Sequence, residues 1–141
     1  MRPDILARSQ PQLLSVLRIV AGLIFMQHGL QKLVGWFGGV GDGGTVELLS
    51  LMGLAGILEA VGGGLIALGL FTRITAFVMA GEMAAAYFMA HFPRSFFPIE
   101  NGGELAVLLC FVFLYLSAAG GGPWSVDSAL AGEKGGDRGS P

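Results

Sequence analysis

Apolar residues run along this chain in four long blocks, at 13–34, 48–70, 74–90 and 104–119, separated by short stretches rich in glycine, proline or charge. Crossing about 30 Å of hydrocarbon takes roughly 20 apolar residues as a helix, and somewhat fewer where neighbouring helices hold the ends. The connection at 71–73 is too short for anything but a hairpin between neighbouring helices. Residues 35–47, with their glycines, Trp36, Phe37 and Asp42, suit a turn in the headgroup region with Trp36 as its anchor. In the connection at 91–103, Pro93 and Pro98 each stop a helix, and Phe92, Phe96 and Phe97 make it a cap at the interface. Residues 120–130 read as an interfacial turn around Trp124, and 131–141 as a disordered tail. The pattern therefore predicts an all-α, polytopic membrane four-helix bundle over 13–119, preceded by a polar segment at 1–12.

Small residues show where the helices meet. Gly56, Ala60 and Gly64 recur every four residues in the second block, and Ala76, Ala80 and Ala84 do so in the third; such stripes let helix backbones approach closely. The glycines at 62–64 are no phosphate loop, because neither a preceding strand nor a following Lys-Ser/Thr accompanies them.

Composition agrees with a membrane protein: mean hydropathy is +0.70, 53% of residues are hydrophobic and only 13% are charged. A net charge of −2 and a pI near 5.5 leave no basic stripe for nucleic acid. Cys110 is the sole cysteine and lies in an apolar run, so an intrachain disulfide, a CxxC redox pair and a cysteine metal site are excluded and a core role is expected. The first apolar block has no small-residue cleavage signature, against a removed signal peptide, and no lipidation motif is visible. Arg2, Arg8, Arg73, Lys134 and Arg138 fall on one side of the predicted spans and Lys32 and Arg94 on the other, which orients both termini to the cytoplasm.

The first block carries Arg18, Gln27, His28, Gln31 and Lys32 among Leu, Ile, Val, Phe and Met. Each ionisable group inside a bilayer costs about 2.5–3.5 kcal/mol even on permissive scales, so it faces the bundle interior and finds a partner there. Arg18, Gly22, Phe25, Gly29 and Lys32 share one helical face by their spacing, and that face is expected to look inward. The later blocks supply Glu59, Glu82 and Glu104, with His91 closing the third. Counting rise per residue places Arg18, Glu59 and Glu82 from the mid-plane toward the cytoplasm, and His28, Lys32, His91, Asn101 and Glu104 toward the outer face. Arg18 is thus expected to meet Glu59 or Glu82, and Lys32 to meet Glu104, while Glu104, Leu108, Phe111 and Tyr115 share a face directed into the same cavity. Three acids against two obligate cations leave one surplus acid, a group able to exchange a proton. The plainer alternative is that buried ion pairs only fix helix register. Two histidines are too few for a metal site, and no metal is expected.

The stretches F-x-x-H-G-x-x-K-L-x-G-W from Phe25, L-E-A-V-G-G-G from Leu58, L-G-L-F-T-R ending at Arg73, N-G-G-E-L-A from Asn101 and G-P-W-S-V-D ending at Asp127 together resemble the DoxX family. That family comprises small four-helix bacterial membrane proteins similar to the DoxD-type subunit of thiosulfate:quinone oxidoreductase. The resemblance implies a redox role, and carries over Arg18, His28, Lys32, Glu59, Arg73, Asn101 and Glu104 as matching positions. No motif for haem, iron–sulfur or flavin is present, so no intrinsic cofactor is expected and a quinone is the candidate ligand.

The resulting expectation is a small subunit of a quinone-linked system handling sulfur or thiol compounds, working with redox partner proteins or as a homo-oligomer. Glu59, Glu104 and His28 are the candidates for proton transfer. Arg18, Lys32, Phe25, Asn101, Tyr115, Glu82 and His91 are the candidates for binding. A non-catalytic membrane anchor or scaffold, and a small-solute carrier, are the competing expectations.

Overall fold

A computed structural model describes residues 3–136. The order is α1 (Pro3–Arg8), α2 (Gln10–Val34), α3 (Leu51–Leu68), α4 (Thr72–Ala86), a π-helical turn (Tyr87–His91) that continues α4, α5 (Pro98–Asn101), α6 (Glu104–Ala119) and α7 (Val126–Gly136). Among the described residues three helices are long and apolar enough to cross a membrane: Gln10–Val34, Leu51–Leu68 and Thr72–His91. α6 is equally apolar in character but has 16 residues, about 24 Å of helix.

Local chemistry sets the ends. Ser50 caps α3 by accepting a hydrogen bond from Gly53 N at 3.0 Å, so the second block begins its helix at Leu51 rather than at residue 48. Gly35 and Gly69 close α2 and α3 in the left-handed conformation (φ 73° for each) that glycine adopts without a Cβ penalty. The tail differs from expectation: part of the predicted interfacial turn and the first residues of the predicted disordered segment form α7, which Asp127 and the turn before it tie to the rest of the molecule. Residues 137–141 lie outside the described residues.

α2 packs chiefly on α3, and α4 on α6. The α2–α3 seam is made by glycines. A Cβ on Gly22 would lie 2.5 Å from Ala67 N, one on Gly63 would lie 2.5 Å from Met26 N, and one on Gly29 would run into the backbone of Ala60. Of the stripe read from α3, Gly56 and Ala60 lie in the contact, which continues through Gly63 and Ala67 rather than Gly64, and Gly22 and Gly29 are its counterpart on α2. Ala76 and Ala80 are buried in the core with Phe25, Ile66, Met79, Met83, Leu109, Phe113 and Leu116.

The outside is apolar nearly all round: Val16, Val20, Leu54, Val61, Phe77, Leu108 and Phe111 are exposed while Arg18 is 0% and Glu59 4% exposed. Charge inside and hydrocarbon outside reverses the arrangement water imposes.

Candidate functional site

The inward face of α2 forms as its spacing predicts, with Arg18, Gly22, Phe25 and Gly29 buried and Lys32 at its end 15% exposed. The two cations on it nevertheless enter different environments from those the sequence suggests.

Arg18 meets no glutamate. Its Nε donates to Gly121 O at 2.8 Å, Nη1 to Ile66 O at 2.6 Å and Ala67 O at 2.5 Å, and Nη2 to Trp124 O at 2.6 Å. Ile66 and Ala67 belong to the last turn of α3, whose carbonyls carry the negative end of the helix dipole. The guanidinium thus caps α3 and holds the turn after α6 against α2 and α3. Its counter-charge comes from α7: Asp127 accepts from Phe71 N and Thr72 N, each at 2.8 Å, and caps α4, while Asp127 N donates to Gly69 O at 2.9 Å. Burial alone would raise the Asp127 carboxyl, but the hydrogen bonds from Thr72 and Phe71 and the charge of Arg18 outweigh it and hold it below the usual aspartate range. Arg73 similarly donates to Ser117 O at 3.3 Å and to Ala118 O at the end of α6.

Lys32 pairs with Glu59, not Glu104. Its Nζ lies 2.5 Å from both Oε1 and Oε2, and the two side chains are 15% and 5% exposed. The glycine seam explains the choice. A Cβ on Gly56 would meet the Cβ of Lys32 at 3.2 Å, so the lysine stem lies over a position without a side chain and runs along α3 to the residue three positions on. Depth counted from Cα positions missed this because a lysine head can sit several ångströms from its own Cα level. Glu59 and Glu82 accordingly belong with Lys32 rather than with Arg18.

A cavity of about 220 Å³ contains Lys32, Glu59 and Glu82, walled otherwise by Leu51, Met52, Ala55, Ala85, Ala86, Met89 and Ala90. Both Glu82 carboxyl oxygens are occluded and have no hydrogen-bond partner among the described residues. A second cavity, of about 100 Å³, is lined by Phe25, His28, Glu59, Met83, Leu105, Ala106 and Leu109. Glu59 borders both. Phe25 also packs edge-on against Phe113, with ring centroids 4.9 Å apart.

The remaining candidates lie elsewhere. Glu104 is exposed in the first turn of α6, and Leu108, Phe111 and Tyr115 are on the outer surface, so that face turns away from the interior. The hydroxyl that enters the polar structure is Tyr87, which donates to Phe96 O at 2.5 Å and receives Asn101 Nδ2 at 3.3 Å. Asn101 also donates to Ser95 O at 2.8 Å and accepts from Gly103 N at 2.7 Å, and His91 Nδ1 sits 3.1 Å from Asn101 O. This network builds the connection between α4 and α6 and occupies the Asn101 side chain. Between those helices an apolar cavity of about 500 Å³ is lined by Met83, Tyr87, Phe88, Phe96, Cys110 and Phe111 among others. Among the described residues no group of three or more His, Cys, Asp or Glu side chains is placed to hold a metal.

The sequence pattern of the DoxX family matches residues 13–92, which span α2, α3, α4 and its π-helical continuation. The chain belongs to the DoxX family. It is similar to an uncharacterized protein of Haemophilus influenzae, 42% identical over an alignment of 130 residues that covers 87% of this chain and 94% of the relative. It is 29% identical to an uncharacterized membrane protein of Mycobacterium tuberculosis, covering 92% of this chain and 88% of that one. A Bacillus subtilis protein named "Putative oxidoreductase CatD" is 30% identical over 106 residues, 74% of this chain and 77% of the relative. No solved structure matches the chain. Family and apolar helices together make this a membrane protein. The Lys32–Glu59 pair and Glu82 fall inside the part shared with the family, whereas α6 and the Asp127 cap lie beyond it.

Proposed function

We propose that this DoxX chain is the small membrane subunit of a quinone-linked redox system handling sulfur or thiol compounds, and that the Lys32–Glu59–Glu82 cavity is its working site. In this reading α2, α3, α4 and α6 form a four-helix bundle crossing the bacterial inner membrane with both termini in the cytoplasm. The observation that carries it is the unbalanced cluster itself: two carboxylates share one cavity with one ammonium, inside a protein whose outer surface is hydrocarbon. Reduction of a quinone takes up protons with the electrons, and a buried acid beside a fixed cation can supply them without admitting water. Lys32 and His28 are the donors for quinone oxygens, and the aromatic cavity between α4 and α6 suits the ring or tail of an apolar ligand. The relative named as an oxidoreductase supports the redox class.

The test uses membranes of the native host, where redox partners are present. Quinone reduction driven by thiosulfate and by thiols is measured with wild type, Glu59→Gln and Lys32→Ala, each normalised to folded protein. The proposal expects a loss of about a hundredfold with quinone still recoverable from purified wild type. Unchanged rates in variants that fold would favour a scaffold, and solute uptake by proteoliposomes containing only this chain would favour a carrier.

A further inference from the structure

We infer that Glu82 is a proton-binding site within the membrane: its carboxyl carries one proton in the resting protein at neutral pH, while Lys32 and Glu59 stay ionised as a pair. Geometry leads to this assignment. The Lys32 ammonium reaches both oxygens of Glu59, so that carboxylate has its counter-charge in place. Glu82 lines the same cavity, yet neither of its oxygens receives a hydrogen bond. The charged groups facing it are Lys32 from α2 and Glu59 from α3. α6 contributes no side chain to this cavity, and its remaining walls are Leu, Met and Ala. An ionised carboxylate there would be without a donor and beside a second carboxylate, in surroundings too apolar to stabilise it. The neutral acid avoids the charge repulsion and the larger part of the desolvation cost.

The arrangement also gives the proton a route. Glu59 borders the cavity of Glu82 and the cavity that contains Phe25 and His28. When the Glu82 carboxyl gives its proton to the Glu59 carboxylate, Glu82 becomes the anion that Lys32 pairs with. The new Glu59 acid then faces the second cavity, where its proton passes to an acceptor. The ammonium only changes partner, and the summed charge of the cluster is the same before and after the transfer. The delivery of that proton to a quinone rests on the functional reading above; the resting protonation of Glu82 does not, and the test reads it without turnover.

Infrared spectra of wild type reconstituted in lipid at pH 7 should show the carbonyl stretch of one protonated carboxyl, shifted on exchange into deuterium oxide. Glu82→Gln should remove the band while leaving the protein folded. Lys32→Met, which leaves two acids without a cation, should raise the band about twofold over wild type, as the counting of charges requires. Absence of the band from wild type, or its survival in Glu82→Gln, would overturn the assignment. So would a sodium-dependent rise in thermal stability that Glu82→Gln abolishes, since the cavity would then hold a metal cation instead of a proton. Should Lys32→Met fail to fold, the wild-type and Glu82→Gln spectra decide the matter alone.

Discussion

Arg18 and Lys32 stand on one face of one helix, and what surrounds them differs in a way that separates structure from chemistry. Each nitrogen of the Arg18 guanidinium donates to a carbonyl fixed in a helix end or a turn, and Asp127 balances its charge across the cap of α4. At Lys32 the pair is complete as well, but a third ionisable group shares its cavity without a partner. A satisfied buried network rigidifies, whereas a surplus group leaves a protonation state to be decided by what enters.

The largest expected effect tests the first half of that contrast. Arg18→Met would leave four carbonyls and the Asp127 charge without their common partner, and should lower stability by about 3–5 kcal/mol, read as loss of folded protein in detergent thermal shift. Rescue of folding in this variant by added ligand would contradict a purely architectural role. Next comes the seam that brings Lys32 to Glu59. Gly29→Val pushes against the Ala60 backbone and should cost about 1–3 kcal/mol. The same variant should weaken the ion pair, so that Lys32→Ala adds less in its presence than in wild type.

A smaller effect sharpens the pH behaviour of the Arg18 region. Asp127 is held below its ordinary range in the folded protein, so its contribution is complete above the unfolded-state value. It is lost as pH falls through the lower folded value, below about pH 4. Asp127→Asn should cost about 1 kcal/mol at neutral pH and flatten that acid-side loss, both measurable by thermal shift across pH. At the smallest end, Glu104→Gln and Tyr115→Phe touch exposed positions and should stay within about 0.5 kcal/mol of wild type, with unaltered quinone-linked rates.

Much of this was legible in the sequence, and the rest was hidden for definable reasons. Apolar blocks and their punctuation locate α2, α3, α4 and α6 because the 3.6-residue period and the glycine and proline breaks act locally. The inward face from Arg18 to Lys32 follows from spacing on one helix. The count of three acids against two cations pointed to an uncompensated carboxyl on a membership that the structure revises, because Glu104 is exposed while Asp127 supplies the counter-charge at Arg18. Pairing across helices depends on how closely they approach, and Gly29 and Gly56 set that distance only once α2 and α3 are docked. Tyr115 stands on the exposed face of α6, whereas Tyr87 opens the π-helical turn that leads into the connection holding Asn101. A π-helical turn leaves no periodic mark. The role of Asp127 had a faint signal in its place just after a glycine- and proline-bearing turn, where an acid is well suited to cap a neighbouring helix.

The contrast between the two cations turns on whether the unpartnered acid works. The most direct measurement is the rate of quinone-linked thiol or thiosulfate oxidation by Glu82→Gln in native-host membranes, normalised to folded protein and followed across pH. The account predicts a stable protein whose rate falls by about a hundredfold. A folded Glu82→Gln protein with the wild-type rate and the wild-type pH profile would contradict it.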